Sequence, residues 1–372
     1  MKSKWVKRVF IYFRSSIRKG IEHKDKHIGI KDIARHANVS IGPVDRVLHN
    51  RGGVSKETRE RILKAIEELN YQPNILASRL KSTKQYSLAI LVPRATDEIP
   101  FWHEHIVGVD QAEKEIRQFD VSTKLFFFDQ NSETSFREKV DEIIADNIDG
   151  VFMVPVFYKD ALRLLNSCQS RHIPCLLFDT NLPDLKEVSF IGQNAFDSGF
   201  LAGELLSHCL PEKGSILIVS IVQEHDNHLQ FSKREEGFRT FFQQHKPQVC
   251  LHKFESRRGM TTEVEELLLA ELKDKTSISA IFGTNGIHHV AQVFEKHSIQ
   301  TIKLLGYDII PDTVHYLQKE YIHFLISQQP KTQVYEGIKL LYQNIILKQN
   351  LERNYYLPID IVMKSNLKYY LK

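Results

Sequence analysis

Cysteine is scarce. Cys168, Cys175, Cys209 and Cys250 are the only four in 372 residues, scattered and without metal-ligand spacing. That excludes a disulfide framework and reads as reduced thiols of a cytoplasmic protein. Long apolar runs are missing too. Val9-Phe10-Ile11-Tyr12-Phe13 spans five residues, far short of an export-signal core or a spanning helix, and no small-residue cleavage site comes after it. No later stretch approaches the length of a membrane span, so a soluble chain with no membrane partner is expected. Catalytic signatures are equally absent: no G-x-S-x-G, no G-x-x-x-x-G-K, no H-E-x-x-H and no dinucleotide fingerprint occurs. Among the 17 histidines, neighbours such as His288-His289 and His225 with His228 lack a third ligand at metal spacing. Neither a metal nor another cofactor is expected, and the chain does not read as an enzyme.

Net charge is small, +4, but unevenly spread. Residues 1 to 85 hold 20 Lys and Arg against 8 Asp and Glu, which leaves the remainder of the chain at −8. A basic module on an acidic body suits phosphate contact by the first and repulsion from DNA by the second. Residues 1 to 27 carry nine of these cations, with Glu22 and Asp25 as their only acids. This extension is expected to be poorly ordered. It reads closest to a basic tail that merely solubilises the chain; an arm that adds nonspecific DNA affinity and an upstream start that the cell does not use are the alternatives.

Between Ile30 and Lys81 the pattern is that of two short helices, a third helix and a basic tail. Ile33, Ala34 and Ala37 share one face at helical spacing, and small Ala34 allows a second helix to approach closely. Asn38 tolerates the left-handed geometry of a helix exit, and Ser40 can cap the second helix. Val44, Val47 and Leu48 then point inward. Ile41, Gly42, Pro43, Asp45, Arg46 and His49 are left outward or at the helix start, where Pro43 costs no hydrogen bond. Gly52-Gly53 makes the next turn, Ser55 caps the third helix, and Ile62, Leu63, Ile66 and Leu69 form its buried stripe. Two short helices at a steep angle make a helix-turn-helix, whose second helix fits a DNA major groove. An ordinary three-helix surface module has the same spacing.

Lys31-Asp32-Ile33-Ala34, Ala37-Asn38-Val39-Ser40, Val44, Arg46-Val47-Leu48, Val54-Ser55, Glu57-Thr58-Arg59, Glu68-Leu69-Asn70-Tyr71, Pro73-Asn74 and Ala77-Ser78-Arg79-Leu80 decide between them. Together they resemble the headpiece of the lactose-repressor (LacI) family of bacterial transcription regulators. The resemblance implies base contacts from Ile41, Gly42 and Arg46, with Pro43, Asp45, His49 and Asn50 beside them. It also implies a hinge segment that folds on operator DNA, where Ala77, Leu80 and Lys81 meet the minor groove and Leu80 wedges into it. Gly42 and Pro43 depart from the polar residues many members carry, so direct readout rests heavily on Arg46, the residue type best suited to paired bonds with guanine. Asp45 either accepts from a cytosine amino group or orients Arg46.

From Tyr86 onward, short apolar runs alternate with amphipathic helices, which indicates parallel sheets wound on both faces. Roughly 290 residues exceed a typical single core, so two lobes are expected. This part resembles the sugar-binding core that the LacI family shares with type 1 periplasmic binding proteins, in which the chain crosses three times between two doubly wound lobes. The resemblance places crossings near Asn181 to Ser189, near Ser327 and near Asn354 to Pro358, with a ligand at the strands' carboxyl ends. The expected division is an extension over 1–27, a helix-turn-helix headpiece over 28–72, a hinge over 73–85, and a ligand-binding and dimerisation domain over 86–372. Its lobe 1 is about 86–186 with 328–353, and its lobe 2 about 187–327 with 354–372.

Ligand candidates carry over residue by residue: Phe101 and Trp102 after the first strand, then Asp179, Asn285, Asp308 and Gln328, each just past a strand. Carboxylates and amides there bind pairs of sugar hydroxyls, and an aromatic face covers the C–H side of the ring. Asp179 and Asp308 equally suit helix caps, and Phe101 and Trp102 equally suit a core. Ser232 stands where many relatives carry arginine, six residues before the aromatic that matches Phe238, with Lys233 and Arg234 adjacent. Thr180 likewise replaces an arginine. Both departures point to a different or modified sugar. The expected protein is a homodimeric cytoplasmic regulator of operator DNA, a repressor whose affinity responds to a sugar-like effector. The alternative is a solute-binding protein of a transport or sensing system with the same core. No heptad tail accompanies Tyr369-Tyr370-Leu371, which disfavours a tetramer.

Overall fold

The computed structural model describes residues 29–48, 51–69, 84–96, 100–182, 184–185, 187–211, 214–221, 228–256, 261–274 and 277–371. Two compact units divide the chain, residues 1–83 and 84–372. The first contains α1 (Ile30–His36), α2 (Ile41–Leu48) and α3 (Lys56–Glu68). Asn38 ends α1 with a left-handed φ of 51°, a conformation its short amide side chain tolerates. Ser55 opens α3 by accepting the Thr58 N–H at 3.3 Å. Ile33, Val44 and Ile62, all fully buried, meet Ala34, Ala37, Val47 and Ala65 in one small core. The expected stripe of α3 is corrected at one position. Leu63 is 48 % exposed while Ala65 is buried. Ala65 lies three residues beyond Ile62 and shares its face, whereas Leu63 is rotated away by about 100°.

The second unit is built in two lobes. Lobe 1 begins with β1 (Tyr86–Pro93), α4 (His103–Ile116), β2 (Val121–Phe128), α5 (Glu133–Ala145), β3 (Gly150–Met153), α6 (Tyr158–Ser170), β4 (Cys175–Phe178) and β5 (Ser189–Gly192). Lobe 2 comes next with α7 (Ala195–Ser207), β6 (Ser215–Ile221), α8 (His228–His245), β7 (Cys250–Ser256), α9 (Thr261–Asp274) and β8 (Ile278–Gly283). It continues through α10 (Ile287–Lys296), β9 (Lys303–Tyr307), α11 (Pro311–Gln318) and β10 (Phe324–Ser327). The chain returns to lobe 1 for α12 (Pro330–Leu347) and β11 (Asn354–Tyr356), then crosses a third time to β12 (Asp360–Val362). The strand orders are β11-β5-β4-β3-β1-β2 and β12-β10-β9-β8-β6-β7. All pairings are parallel except β12 on β10.

Strand β6 shows why both sheet faces are covered. Leu217, Val219 and Ile221 join one core with residues of α9 and α10, while Ile216 and Ile218 join another with residues of α7 and α8. Alternate side chains of a continuous apolar run therefore fill two layers.

The lobe boundaries differ from those expected. Strand β5 pairs with β4 through Leu176 and Ser189, and β11 pairs with β5 through Phe190 and Asn354. Residues 187–192 and 354–356 therefore belong to lobe 1; the first crossing falls after Gly192, later than expected, and the last after Tyr356, within the expected stretch Asn354 to Pro358. Leu182, Leu185 and Val188 hold the preceding loop on the lobe 1 core. Gln193 ties the three crossings together: its Nε2 donates to the Ser327 carbonyl at 2.6 Å and the Pro358 carbonyl at 3.2 Å. No helix among the described residues is long and apolar enough to cross a membrane.

Candidate functional site

Two clusters of side chains stand apart from the packing, one in each unit. In the first unit, Val44 and Val47 bury one side of α2 and leave Ile41, Gly42 and Arg46 exposed. A side chain added at Gly42 would meet nothing within 4 Å. Arg46 Nη1 donates to the Gly53 carbonyl at 3.3 Å, and the Asp45 carboxylate meets Arg51 Nη1 at 3.5 Å. Pro43 and Asp45 are half-buried on the same helix. His49, Asn50, Ala77, Leu80 and Lys81 lie outside the described residues.

In the second unit, the carboxyl ends of β4 and β9 face one another across the lobes. Asp179 and Asp308 come directly after these strands, at left-handed φ values of 61° and 74°. Between them lies Arg234 of α8, 2 % exposed, which acts electrostatically on both carboxylates. Its Nη1 donates to the Thr284 carbonyl at 2.7 Å, its guanidinium sits 3.7 Å from the Tyr307 ring centroid, and its Nε has no partner among the described residues. A buried donor without a partner is costly, and a ligand oxygen would relieve it. Burial pushes the Asp179 carboxyl up to about 6 against the pull of Arg234, and Asp308 is raised by burial in the same way.

Helix α8 is held backbone to backbone on α7. An added Cβ at Gly199 would collide with the Arg234 carbonyl, and one at Gly237 with the Phe196 carbonyl. Glutamines complete the site. Gln328 donates to Asp308 Oδ1 at 2.6 Å and accepts from Gln230 at 2.9 Å. Gln333 accepts the Asp179 N–H at 3.0 Å and donates to the Gln328 carbonyl at 2.7 Å, so the two strand ends share one network.

Aromatic rings wall the lobe 1 side. Phe101 and Trp102 meet edge to face at 4.9 Å, and Trp102 Nε1 donates to Gln130 at 2.9 Å. His105 packs against both rings and Phe178, and burial lowers its pKa to about 3, so the ring is neutral. Two cavities adjoin the network. One of about 580 Å³ is bordered by Phe101, Asp308 and Gln328, and one of about 140 Å³ by Asp179, Gln230 and Lys233. Among the described residues, no cluster of three or more His, Cys, Asp or Glu could hold a metal ion.

A bacterial regulatory protein domain of the lacI family matches residues 29–74, and a periplasmic binding protein domain matches residues 88–349. The chain belongs to the LacI family. Over 179 residues this LacI-family chain is 32 % identical to the HTH-type transcriptional repressor PurR of Pasteurella multocida, covering 48 % of this chain and 51 % of that one. It therefore spans about half the length of that curated relative. A putative LacI transcriptional regulator from Bacteroides fragilis superposes with a TM-score of 0.71 at 24 % identity, over 77 % of this chain and 100 % of that one. GanP, a glucose-galactose binding protein from Geobacillus stearothermophilus, gives 0.66 at 21 % identity, over 77 % and 99 %. These two likenesses establish the fold alone.

Of the ligand candidates in this LacI-family core, Asp179, Asp308, Gln328 and Phe101 border the two cavities. Three others are placed differently. Trp102 is 6 % exposed, with its N–H already bonded, and serves as wall. Asn285 spends both ends of its amide on the Ile221 backbone and pins β6 to β8. Ser232 is exposed, because six residues before Phe238 is the wrong phase of a helix whose buried face repeats every three to four residues. Arg234, four residues before Phe238, is in phase and turns inward. The buried arginine of this stretch is therefore Arg234, two residues after Ser232. Gln193, Gln230 and Gln333 carry no recognisable signal in the sequence, since their roles depend on contacts far apart along the chain.

Proposed function

We propose that the chain is a DNA-binding transcriptional repressor whose operator affinity is controlled by a sugar-like molecule held between the lobes. It works in the bacterial cytoplasm as a homodimer, because one reading helix buries too little surface for a specific site and a twofold pair matches two half-sites. Its role is binding rather than catalysis. In this reading α2 presents Arg46 to guanine, Ile41 and Gly42 lie against the groove, and Ala77, Leu80 and Lys81 contact the minor groove.

The observation that carries the effector half is Arg234, buried between Asp179 and Asp308 with an Nε that has no partner among the described residues. Carboxylates accept from sugar hydroxyls, the guanidinium and Gln328 donate to ring oxygens, and Phe101 covers an apolar sugar face. Linkage then makes effector and operator change one another's affinity by equal factors.

The test is fluorescence anisotropy of the full chain on DNA selected from a randomised pool, over a salt series and with a panel of sugars. A near-palindromic site whose affinity falls steeply with salt, shifted by a sugar in the wild type but not in Asp308→Ala, is expected. A chain that binds sugar and ignores all DNA would instead be a solute-binding protein of a transport or sensing system.

A further inference from the structure

We propose that the effector site has an outer compartment, built by the segment beyond β12, which selects a neutral glycoside of two or more rings over a single sugar or a sugar phosphate. This rests on the sugar-effector reading above. The compartment is the cavity of about 580 Å³, whose border runs from Asp308 and Gln328 to Tyr369 and Tyr370. That volume falls within the roughly 300–1000 Å³ of sites that take drug-sized ligands.

The outer wall is anchored rather than loosely draped. Leu367 is 3 % exposed and joins the lobe 2 core, against which Tyr370 also packs. Asn366 fastens the segment to β12, donating to the Ile361 carbonyl at 3.0 Å and accepting the Met363 N–H at 2.6 Å. Burial and the neighbouring Asp360 carboxylate raise the pKa of the Tyr370 hydroxyl, and both side chains stand at the cavity border.

Polar groups form a row from the centre to this rim. Gln328 donates to Asp308 and is the chain neighbour of Ser327, and Ser327 is the cross-strand partner of Asp360 in the β10–β12 pair. Asp360 in turn neighbours Tyr370. One sugar ring engages Asp308 and Gln328. A second ring, farther out, meets Asp360 and the faces of Tyr369 and Phe101, which suit the C–H side of a pyranose. Tyr369 is 67 % exposed, with the Lys368 ammonium 5.1 Å from its ring centroid.

Charge sets the ligand class. Glu104, Asp308 and Asp360 border the cavity, with Lys331 as the single Lys or Arg among its described border residues. Arg234 already offsets Asp308, so at the outer border Glu104 and Asp360 stand against Lys331, disfavour a phosphate or uronate there and accept hydrogen bonds from hydroxyls.

The experiment titrates the full chain, by tryptophan fluorescence and thermal shift, with matched sugars. These are glucose with cellobiose and maltose, galactose with lactose and melibiose, xylose with xylobiose, mannose with mannobiose, and glucose 6-phosphate. At least one two-ring sugar is expected to bind about tenfold tighter than its single-ring component, a gain of the size aromatic stacking supplies. Glucose 6-phosphate should bind no better than glucose. Tyr369→Ala, an exposed position, should leave the melting temperature of the free protein unchanged and erase most of the two-ring advantage while single-ring affinity stays. Tyr370→Phe, which keeps the ring, should retain more of the advantage than Tyr369→Ala. Equal affinity for one and two rings, preference for the phosphate, or unchanged binding by Tyr369→Ala would overturn the outer compartment alone. Silence from every sugar would overturn it together with the sugar-effector reading.

Discussion

Asp179 and Asp308 hold the same place in the two lobes: each is the first residue past its lobe's fourth strand, and each adopts a left-handed backbone. Such a conformation is uncommon for residues other than glycine and gathers where a site constrains the chain. The pair brackets Arg234 from opposite sides of the cleft, and the electrostatics of all three are coupled.

Asp179 gives the folded protein a pH signature. Its pKa of about 6 in the folded protein exceeds the ordinary 3.8, so the folded state binds the proton more tightly than the unfolded state does. Its contribution is therefore complete below about pH 4 and lost as the pH rises through 6, at most about 3 kcal/mol. Asp179→Asn should melt close to wild type at pH 4 and above it at pH 7.5, with the gap opening between those values. A gap independent of pH in calorimetry would rule this out.

Gln193→Leu removes the two hydrogen bonds that join the crossings. Leaving the buried Ser327 carbonyl short of this donor, while the Pro358 carbonyl keeps the Gln329 amide at 2.9 Å, should cost about 2 kcal/mol, read as a lower urea midpoint with an unchanged slope. Equal midpoints would mean that the staple carries no weight.

Arg46→Ala should weaken specific operator binding about 10- to 100-fold, as expected for a lost bidentate base contact. Because the side chain is exposed, circular dichroism and melting should not change. A uniform loss on specific and random DNA alike would reassign Arg46 to phosphate contact.

Within α3, Ile62→Ala and Leu63→Ala should differ sharply. Ile62 is fully buried and Leu63 is 48 % exposed, so the first should cost about 2–5 kcal/mol and the second under about 0.5 kcal/mol. Hydrogen exchange of the α1–α3 amides in the full chain measures both.

Much of this architecture is legible in the sequence because it is written in local periodicity. Runs such as Ile216 to Val219 and Leu88 to Val92 announce buried strands, and the Ile33, Val44 and Ile62 stripes announce three packed helices. The hidden features depend on partners distant in the chain. Strands β11 and β12 are three residues each, too short for a pattern, and exist because Phe190 and Leu325 offer them an edge. The first crossing lies later than the sequence suggests because nothing local in Ser189 to Gly192 says which sheet it joins. Arg234 escapes a match made by position, whereas helical phase alone selects it.

The reciprocal contacts of Gly199 with Arg234 and of Gly237 with Phe196 have a mechanical and an evolutionary consequence. A helix pressed this closely onto its neighbour can neither roll nor slip, so the guanidinium it carries moves only when the whole lobe moves, like a pin set in a hinged plate. A methyl group at either glycine would lever the plate apart and withdraw the pin. Loss of ligand response should therefore arise from changes buried well away from the ligand, at two positions that have no chemistry of their own.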